Sequence, residues 1–541
     1  MVRYERGCHH GALPGDGYAG RVPSAFRLSV VLLAAALALT GCDAPTATPT
    51  SRPAARIHVS AVPGVAVDRP VLPEVSPTVA GLVDGLPGDD LTAYAAQKLS
   101  WSDCGGGTQC ASVLAPLDYA DPAARAVTLS VRRKAATGTP RLGTLFINPG
   151  GPGGSGKGEV TSFDNTGLEQ YDIVGWDPRG VGDSTPVKCY GDAEAEAFNN
   201  LDISPDTDAE RSALIEGAYD LATSCWQNSG PLLEHISTIE TARDLDLLRQ
   251  LVGDKELHFF GYSYGTQIGA TYAELYPANT GRLVLDAAVN ISHKDDVIQA
   301  MGFDLALGNF ADWCAAQKCE LGTSKQEVLD TITGFFDRLD GSPLRSGRRT
   351  LTQGLGVEGS AAFLYGGKQA WPTLLKALTD GIAGKGAILL RGSDFLLDRN
   401  DKGHYGSMFY ALQAITCLDS DQEKGVVDAD RVWKQDEGKA PIYGKYFGPQ
   451  YVCPLWPVRP SRQLDIKGSG AKPLLVIGGT GDNATPYQQA VSMSQQLTSG
   501  VLVTYDGQGH GTYGGKSSCV DKIVVAYLVQ GTVPTDGVRC S

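Results

Sequence analysis

The stretch Leu257-His-Phe-Phe-Gly-Tyr-Ser263-Tyr-Gly-Thr-Gln-Ile-Gly-Ala270 decides how the rest of the chain is read. Its first residues, Leu257 to Phe260, have the length and apolar character of a buried strand. The run ends in Gly-x-Ser-x-Gly and passes directly into a helical pattern, Ile268 to Leu275. A strand that feeds a helix without spare residues needs a sharp turn, and Ser263 stands at its apex. Gly261 and Gly265 leave no side chain where the two elements cross, so the hydroxyl projects at the head of the new helix. The first N–H groups of that helix lack intrahelical acceptors and favour negative charge developing beside them. Ser263 is therefore the candidate nucleophile. The pentapeptide alone would equally describe a tight turn with an incidental serine.

Two late strands complete the chemistry that a serine needs. Lys472-Pro-Leu-Leu-Val-Ile-Gly-Gly479 ends in Thr480-Gly-Asp482-Asn-Ala-Thr-Pro486, and Val501 to Tyr505 leads into Asp506-Gly-Gln-Gly-His510-Gly-Thr-Tyr513. Both loops follow a strand, as Ser263 does, and in a parallel sheet such loops share the edge where sites form. A serine hydroxyl is a poor nucleophile without a general base within reach. His510 has the position, and its glycine neighbours admit a ring to a crowded site. Asp482 is expected to fix the imidazole tautomer, in the chain order Ser, Asp, His. Asp286, after an earlier strand, and Asp506, close to His510 in the chain, are the competing acids.

Upstream, Gly143-Thr-Leu-Phe-Ile-Asn-Pro-Gly-Gly-Pro-Gly-Gly-Ser-Gly156 reads as a buried strand and a glycine-dense loop. Backbone N–H groups can approach a ligand closely there. Beside a serine elbow, such a loop supplies one N–H of an oxyanion hole, and the residue after the nucleophile supplies the other. Gly151 is the candidate in the loop, with Gly150 the alternative, and Tyr264 is its partner. The same loop nearly spells a phosphate-binding motif through Lys157, but Gly158 stands where a Ser or Thr must hold magnesium. In Trp176-Asp-Pro-Arg-Gly-Val-Gly-Asp-Ser184, Asp177 and Arg179 are expected to form a structural ion pair. Strands and helices alternating in this rhythm imply right-handed crossovers and a mostly parallel sheet.

Residues 291–470 break the rhythm, with helical patterns at Val328 to Leu339, Trp371 to Ile382 and Tyr405 to Leu418. A structureless loop of that length is rare in a compact domain, so a helical cap folding as its own module is expected. The core then comprises residues 91–290 and 471–541.

The 541 residues are 42% hydrophobic and carry a formal charge of −14, without a basic run, so nucleic acid is not an expected partner. Arg21 and Arg27 precede an apolar run, Leu28 to Leu39, too short for a permanent membrane span. It closes in Leu39-Thr-Gly-Cys42, which resembles a bacterial lipobox; residues 1–41 are then a lipoprotein signal peptide and Cys42 the lipidated residue. An ordinary secretory signal is the alternative. Residues 42–90, rich in Pro, Thr, Ala and Val, read as a disordered tether. Ten further cysteines suit disulfides in an exported chain, and neighbour pairing is expected (Cys104–Cys110, Cys189–Cys225, Cys314–Cys319, Cys417–Cys453, Cys519–Cys540), although sequence leaves connectivity open. No Cys-x-x-Cys or clustered histidine calls for a metal, and no cofactor is expected.

The combination of Pro149-Gly-Gly-Pro-Gly-Gly-Ser-Gly156, Trp176-Asp-Pro-Arg-Gly-Val-Gly-Asp-Ser184, Gly261-Tyr-Ser-Tyr-Gly265, Gly481-Asp-Asn-Ala-Thr-Pro486 and Gly509-His-Gly-Thr512 resembles the tripeptidyl aminopeptidase branch of the proline-iminopeptidase-like α/β-hydrolases. The resemblance runs from about Trp101 to the C-terminus. It implies an α/β-hydrolase sheet flanked by helices, with the cap inserted before the strand carrying the acid. It also implies an exported serine exopeptidase that releases short peptides from free N-termini, with Ser263, Asp482 and His510 as its triad. Proline iminopeptidases begin the glycine loop with histidine; here Pro149 stands there, as in the tripeptidyl branch. An exopeptidase must meet an α-ammonium group, and in related enzymes a cap carboxylate does so. Asp419, in Ala414-Ile-Thr-Cys-Leu-Asp419, is the candidate, with a solvated surface aspartate as the alternative. A secreted esterase of the same fold and a non-catalytic surface binding protein are the competing functions. If Cys42 carries the anchor, Cys42→Ser releases the protein from the membrane fraction or stalls its processing. Unchanged fractionation together with a lipid-free mature N-terminus contradicts the anchor.

Overall fold

The apolar runs form the strands of one large sheet in the computed structural model, which describes residues 79–292, 296–420 and 425–541. Besides two-residue strands at Val83–Asp84 and Ser102–Asp103, its strands are β1 (Gln109–Pro116), β2 (Arg125–Lys134), β3 (Gly143–Asn148), β4 (Tyr171–Trp176), β5 (Leu257–Tyr262), β6 (Thr280–Asp286), β7 (Leu474–Gly481), β8 (Gly500–Gln508) and β9 (Val538–Cys540). They lie in the order β9-β8-β7-β6-β5-β3-β4-β2-β1. From β9 to β4 every neighbouring pair is parallel, and β2 pairs antiparallel with both β4 and β1. Every residue of β3 and β4 is buried, as expected for parallel strands covered on both faces. The order reverses at β3: the chain moves out to β4 and returns to place β5 on the other side. The crevice at the carboxyl ends of β3 and β5 is therefore the switch point where such sheets bind ligands.

Helices cover the sheet. Thr238–Val252 (α1) begins at Ser237, whose hydroxyl accepts from the Glu240 N–H, and stops at Gly253, which is left-handed at φ 82°. Tyr264–Leu275 (α2) follows β5 with only Ser263 between them. Between β6 and β7 the chain is largely helical, including Gln299–Ala316 (α3), Gln353–Leu364 (α4) and Ser407–Asp419 (α5), with Lys325–Gly341 and Trp371–Ile382 where the patterns place them. A short hairpin, Leu344–Ser346 with Arg349–Leu351, interrupts this region and was not legible as strand.

The helical region does not separate from the sheet as a unit of its own. The described residues cluster as one compact body, and a single apolar core joins Phe303, Leu355 and Phe409 of the insert to Ile268 and Leu285 beneath them. Contacts explain this fusion. A Cβ on Gly302 of α3 would lie 2.5 Å from the Asn483 carbonyl, and one on Gly153 would lie 2.9 Å from the Met408 carbonyl of α5. These glycines let the insert's backbone rest directly on the loops of the sheet.

Two other expectations change. Residues 79–90, assigned to the tether, belong to the body: Val83–Asp84 pairs with β2, and the Arg125 guanidinium donates to the Leu82 and Val83 carbonyls. The rest of that stretch, with residues 1–41 and Cys42, lies outside the described residues. Arg179 pairs not with Asp177 but with Asp244 of α1, at 2.7 Å and fully buried. All five of its N–H donors are engaged, by both Asp244 oxygens and the Leu117, His235 and Pro116 carbonyls. Burial opposes its charge, but Asp244 outweighs that and holds the guanidinium ionised. Asp177 instead accepts from the Ser155 hydroxyl and the Lys157 and Asp183 N–H groups, tying the glycine loop to the loop after β4.

All five neighbour disulfides form: Cys104–Cys110, Cys189–Cys225, Cys314–Cys319, Cys417–Cys453 and Cys519–Cys540. They agree with an oxidising compartment outside the cytoplasm. The last fastens β9, a strand that the sequence pattern did not disclose. Among the described residues no helix is long and apolar enough to cross a membrane.

Candidate active site

The turn between β5 and α2 stores backbone strain at one residue. Ser263 adopts φ 54°, ψ −126°, a region that residues with side chains rarely occupy. A Cβ on Gly261 would lie 2.5 Å from the Gly265 backbone, and one on Gly265 would lie 2.8 Å from the Asn148 carbonyl of β3. Only glycine permits both approaches, as the Gly-x-Ser-x-Gly spacing implies. The Ser263 N–H donates to the Asp286 carbonyl at 3.0 Å, which pins the turn to the end of β6.

The glycine loop after β3 lies against this turn. A Cβ on Gly150 would sit 3.0 Å from both Ser263 Cβ and the Tyr264 nitrogen. Gly150 donates its own N–H to Asn148 Oδ1 at 2.9 Å. That commitment favours Gly151 over Gly150 as the loop's donor. Tyr264, the first residue of α2, has an N–H without an intrahelical acceptor.

Asp482 and His510 meet across the loops after β7 and β8. His510 Nδ1 lies 2.9 and 3.1 Å from the two Asp482 oxygens. The Asp482 side chain is 1% exposed and that of His510 14%, so the pair is closed at the carboxylate and open at the ring. Asp482 also accepts from the Ala484 and Thr485 N–H groups, each at 2.9 Å. These bonds fix the carboxylate and leave the imidazole as its remaining side-chain partner. A carboxylate on Nδ1 leaves Nε2 as the nitrogen that can accept a proton. The His510 loop reaches the serine turn, since a Cβ on Gly511 would lie 3.4 Å from the Tyr262 ring and the Tyr262 hydroxyl donates to the Tyr513 carbonyl.

The two competing acids have other partners. Asp506 lies within β8 and pairs with Arg539 at the surface. Asp286 is fully buried, and its carboxylate accepts from the Thr512 and Tyr513 N–H groups at 2.9 and 2.8 Å. It therefore holds the histidine loop from below, and burial raises its pKa above the ordinary value.

Several neighbours carried no recognisable signal. Thr485 stands in the quoted Gly481–Pro486 motif, and its hydroxyl lies 3.5 Å from His510 Nδ1. The Lys516 ammonium donates to the His510 carbonyl at 2.6 Å, with its pKa lowered by burial. Tyr365, just past α4, accepts the His510 N–H on its carbonyl at 2.9 Å and packs its ring against the imidazole, edge to face, at 5.3 Å. Tyr365 comes from a region with helical period but no motif.

Asp419 ends α5 and takes its place against the first turn of α1. Its oxygens accept from the Thr238 N–H at 3.0 and 3.2 Å and from the Thr238 hydroxyl, which also contacts the Tyr264 hydroxyl at 2.6 Å. Burial raises its pKa to about 7, against the lowering effect of the Thr238 bonds.

A parallel sheet reversing at β3, a strained serine elbow, a glycine loop beside it and an Asp–His pair on the same edge define an α/β-hydrolase. The profile for the alpha/beta hydrolase fold matches residues 143–349, and one described as TAP-like protein matches residues 440–540. Serine protease Hip1 of Mycobacterium tuberculosis is 33% identical over 486 residues, 82% of this chain and 91% of its own. Tripeptidyl aminopeptidase of Streptomyces coelicolor is 31% identical, with 82% and 86% covered. Carboxylesterase B of Mycobacterium tuberculosis is 34% identical, with 87% and 95% covered. The chain belongs to the tripeptidyl-aminopeptidase-like branch of the α/β-hydrolase family, and it is an enzyme of the serine hydrolase class.

If Asp482 orients the imidazole, Asp482→Asn lowers kcat by about 10⁴-fold, because the amide favours the wrong tautomer. Steady-state kinetics checks this, with a melting curve to confirm folding. A loss under about tenfold contradicts the role.

Proposed function

We propose that the protein is an exported serine exopeptidase that removes short peptides, tripeptides in the main, from free N-termini. Ser263 Oγ attacks the scissile carbonyl carbon while His510 Nε2 takes its proton. Asp482 holds the imidazolium that results, and the Gly151 and Tyr264 N–H groups receive the oxyanion. Collapse of the tetrahedral species breaks the C–N bond as His510 returns the proton to the leaving amine. Water, deprotonated by His510, then releases the acyl peptide and restores the serine.

The observation that carries the exopeptidase reading is a buried carboxylate of the insert beside the serine elbow, without a basic partner. It is Asp419, the one expected from sequence, whose Thr238 partner also contacts the Tyr264 hydroxyl. Such groups suit a cationic ligand, since an ammonium brought to a buried carboxylate relieves the cost of its charge. The 34% identity to a carboxylesterase favours a second reading, hydrolysis of esters by the same triad. For localisation, we place the enzyme outside the cytoplasm, held at the membrane by acyl chains on Cys42 through residues between it and the body.

The test is polarity of cleavage. A short peptide anilide with a free amino terminus is expected to exceed its N-acetylated counterpart in kcat/KM by roughly two to three orders of magnitude, the cost of breaking a buried pair. Equal rates on the two substrates contradict the exopeptidase reading and favour the esterase.

A further inference from the structure

The loop that carries His510 is built from residues that hold one conformation poorly. Between Gly509 and Gly515, four of the seven residues are glycines, each with a φ between 71° and 101°. Glycine permits those turns but loses the most backbone freedom on ordering, so such a loop needs ties from outside. The Thr512 and Tyr513 N–H groups are tied to Asp286, and those of Gly514 and Gly515 to Asp521 of the helix Ser518–Val525. His510 itself donates its N–H to the Tyr365 carbonyl. Its own carbonyl has one donor among the described residues, the Lys516 ammonium at 2.6 Å.

That bond closes the loop on itself, from its last residue back to the histidine six positions earlier. A lysine ordinarily leaves its ammonium in water, because ordering the long side chain costs entropy. Lys516 is largely enclosed instead, and the charges that bear on it are the Asp482 and Asp286 carboxylates. One Asp286 oxygen is buried without a hydrogen-bond partner, so the ammonium supplies the positive charge that its surroundings otherwise lack. Lys516 thus answers both the acid that orients the imidazole and the acid that anchors the loop.

We propose that Lys516 is a positioning residue for the general base: its ammonium, bound to the His510 carbonyl and facing Asp482 and Asp286, locks the glycine loop so that the imidazole stays on Asp482. This rests on His510 as the base and deepens that reading; it holds for peptide and ester substrates alike. A base displaced by about 1 Å loses on the order of 10²-fold in rate, so the lock acts on kcat and leaves substrate binding unchanged. Its strength depends on the charge. An amine that has lost its proton is a weaker donor and leaves two enclosed carboxylates without a cation.

The test follows labelling by an uncharged fluorophosphonate, in which Ser263 Oγ displaces fluoride from phosphorus while His510 takes the proton. No substrate amino group enters the pH profile. Lys516→Met is expected to label about 10²-fold more slowly, and Lys516→Arg, which keeps a charged donor at every working pH, to recover most of that loss. The alkaline limb separates positioning from support of the fold. Burial lowers the Lys516 pKa against the pull of the two carboxylates, so wild-type labelling falls with rising pH before the ordinary lysine value of about 10.4. The other groups around the loop leave that range clear. Burial raises Tyr262 and Tyr513, while Asp286, Asp482, Asp521 and His510 are of classes that titrate far lower. In Lys516→Arg the limb disappears. A folded Lys516→Met that labels as fast as wild type overturns the proposal, and so does a Lys516→Arg that keeps the wild-type limb. A wild-type rate that stays flat up to the ordinary lysine value overturns it without any variant. His510→Ala that labels at the wild-type rate fails at the earlier step, the assignment of the base.

Discussion

One residue at the end of β6 ties together the two loops on which the chemistry depends. The Asp286 carbonyl accepts the N–H of Ser263, and its carboxylate accepts the N–H groups of Thr512 and Tyr513, two and three residues past His510. The strained serine turn and the histidine loop are thus fixed to the same strand end. Strain at φ 54° persists only where its surroundings over-determine it. Here the parallel neighbours of β5, the close glycine contacts and the Asp286 bond do so. The glycine loop shares that rigidity, because Gly150 packs so closely on the turn that a Cβ there would lie 3.0 Å from Ser263 Cβ and the Tyr264 nitrogen.

How much of this was legible in the chain follows from the range of each interaction. The elbow is local: glycines two residues either side of a serine, between a strand and a helix, leave few conformations. The late Asp482 and His510 were legible because each follows a strand, and parallel strands bring their trailing loops to one edge. Disulfides between neighbouring cysteines were read correctly because short loops close most readily. Arg179 was misread because its partner, Asp244, lies 65 residues away on α1, and nothing local marks it. Strand β9 is three residues long and takes its pairing from β8 and the Cys519–Cys540 bridge, so no periodicity could reveal it. The insert showed its helices but not its docking. Tyr365 reaches the His510 loop where two glycines let the backbones approach: a Cβ on Gly509 would lie 2.7 Å from the Tyr365 carbonyl, and one on Gly367 would lie 2.5 Å from the Gln508 carbonyl.

The insert therefore does more than cover the sheet. Its backbone carbonyl at Tyr365 holds the histidine loop, and its Asp419 carboxylate stands on Thr238, whose hydroxyl touches that of Tyr264. The sheet's edge carries the candidate triad, and the helices of the insert close over it.

Every role assigned to the site depends on Ser263 being the nucleophile, activated by His510. Mass-spectrometric mapping of the adduct left by a fluorophosphonate tests it most directly. One adduct per chain is expected, on Ser263, formed rapidly in the native enzyme and lost when the protein is unfolded before labelling. An adduct on another residue, or a native enzyme that does not label, contradicts it.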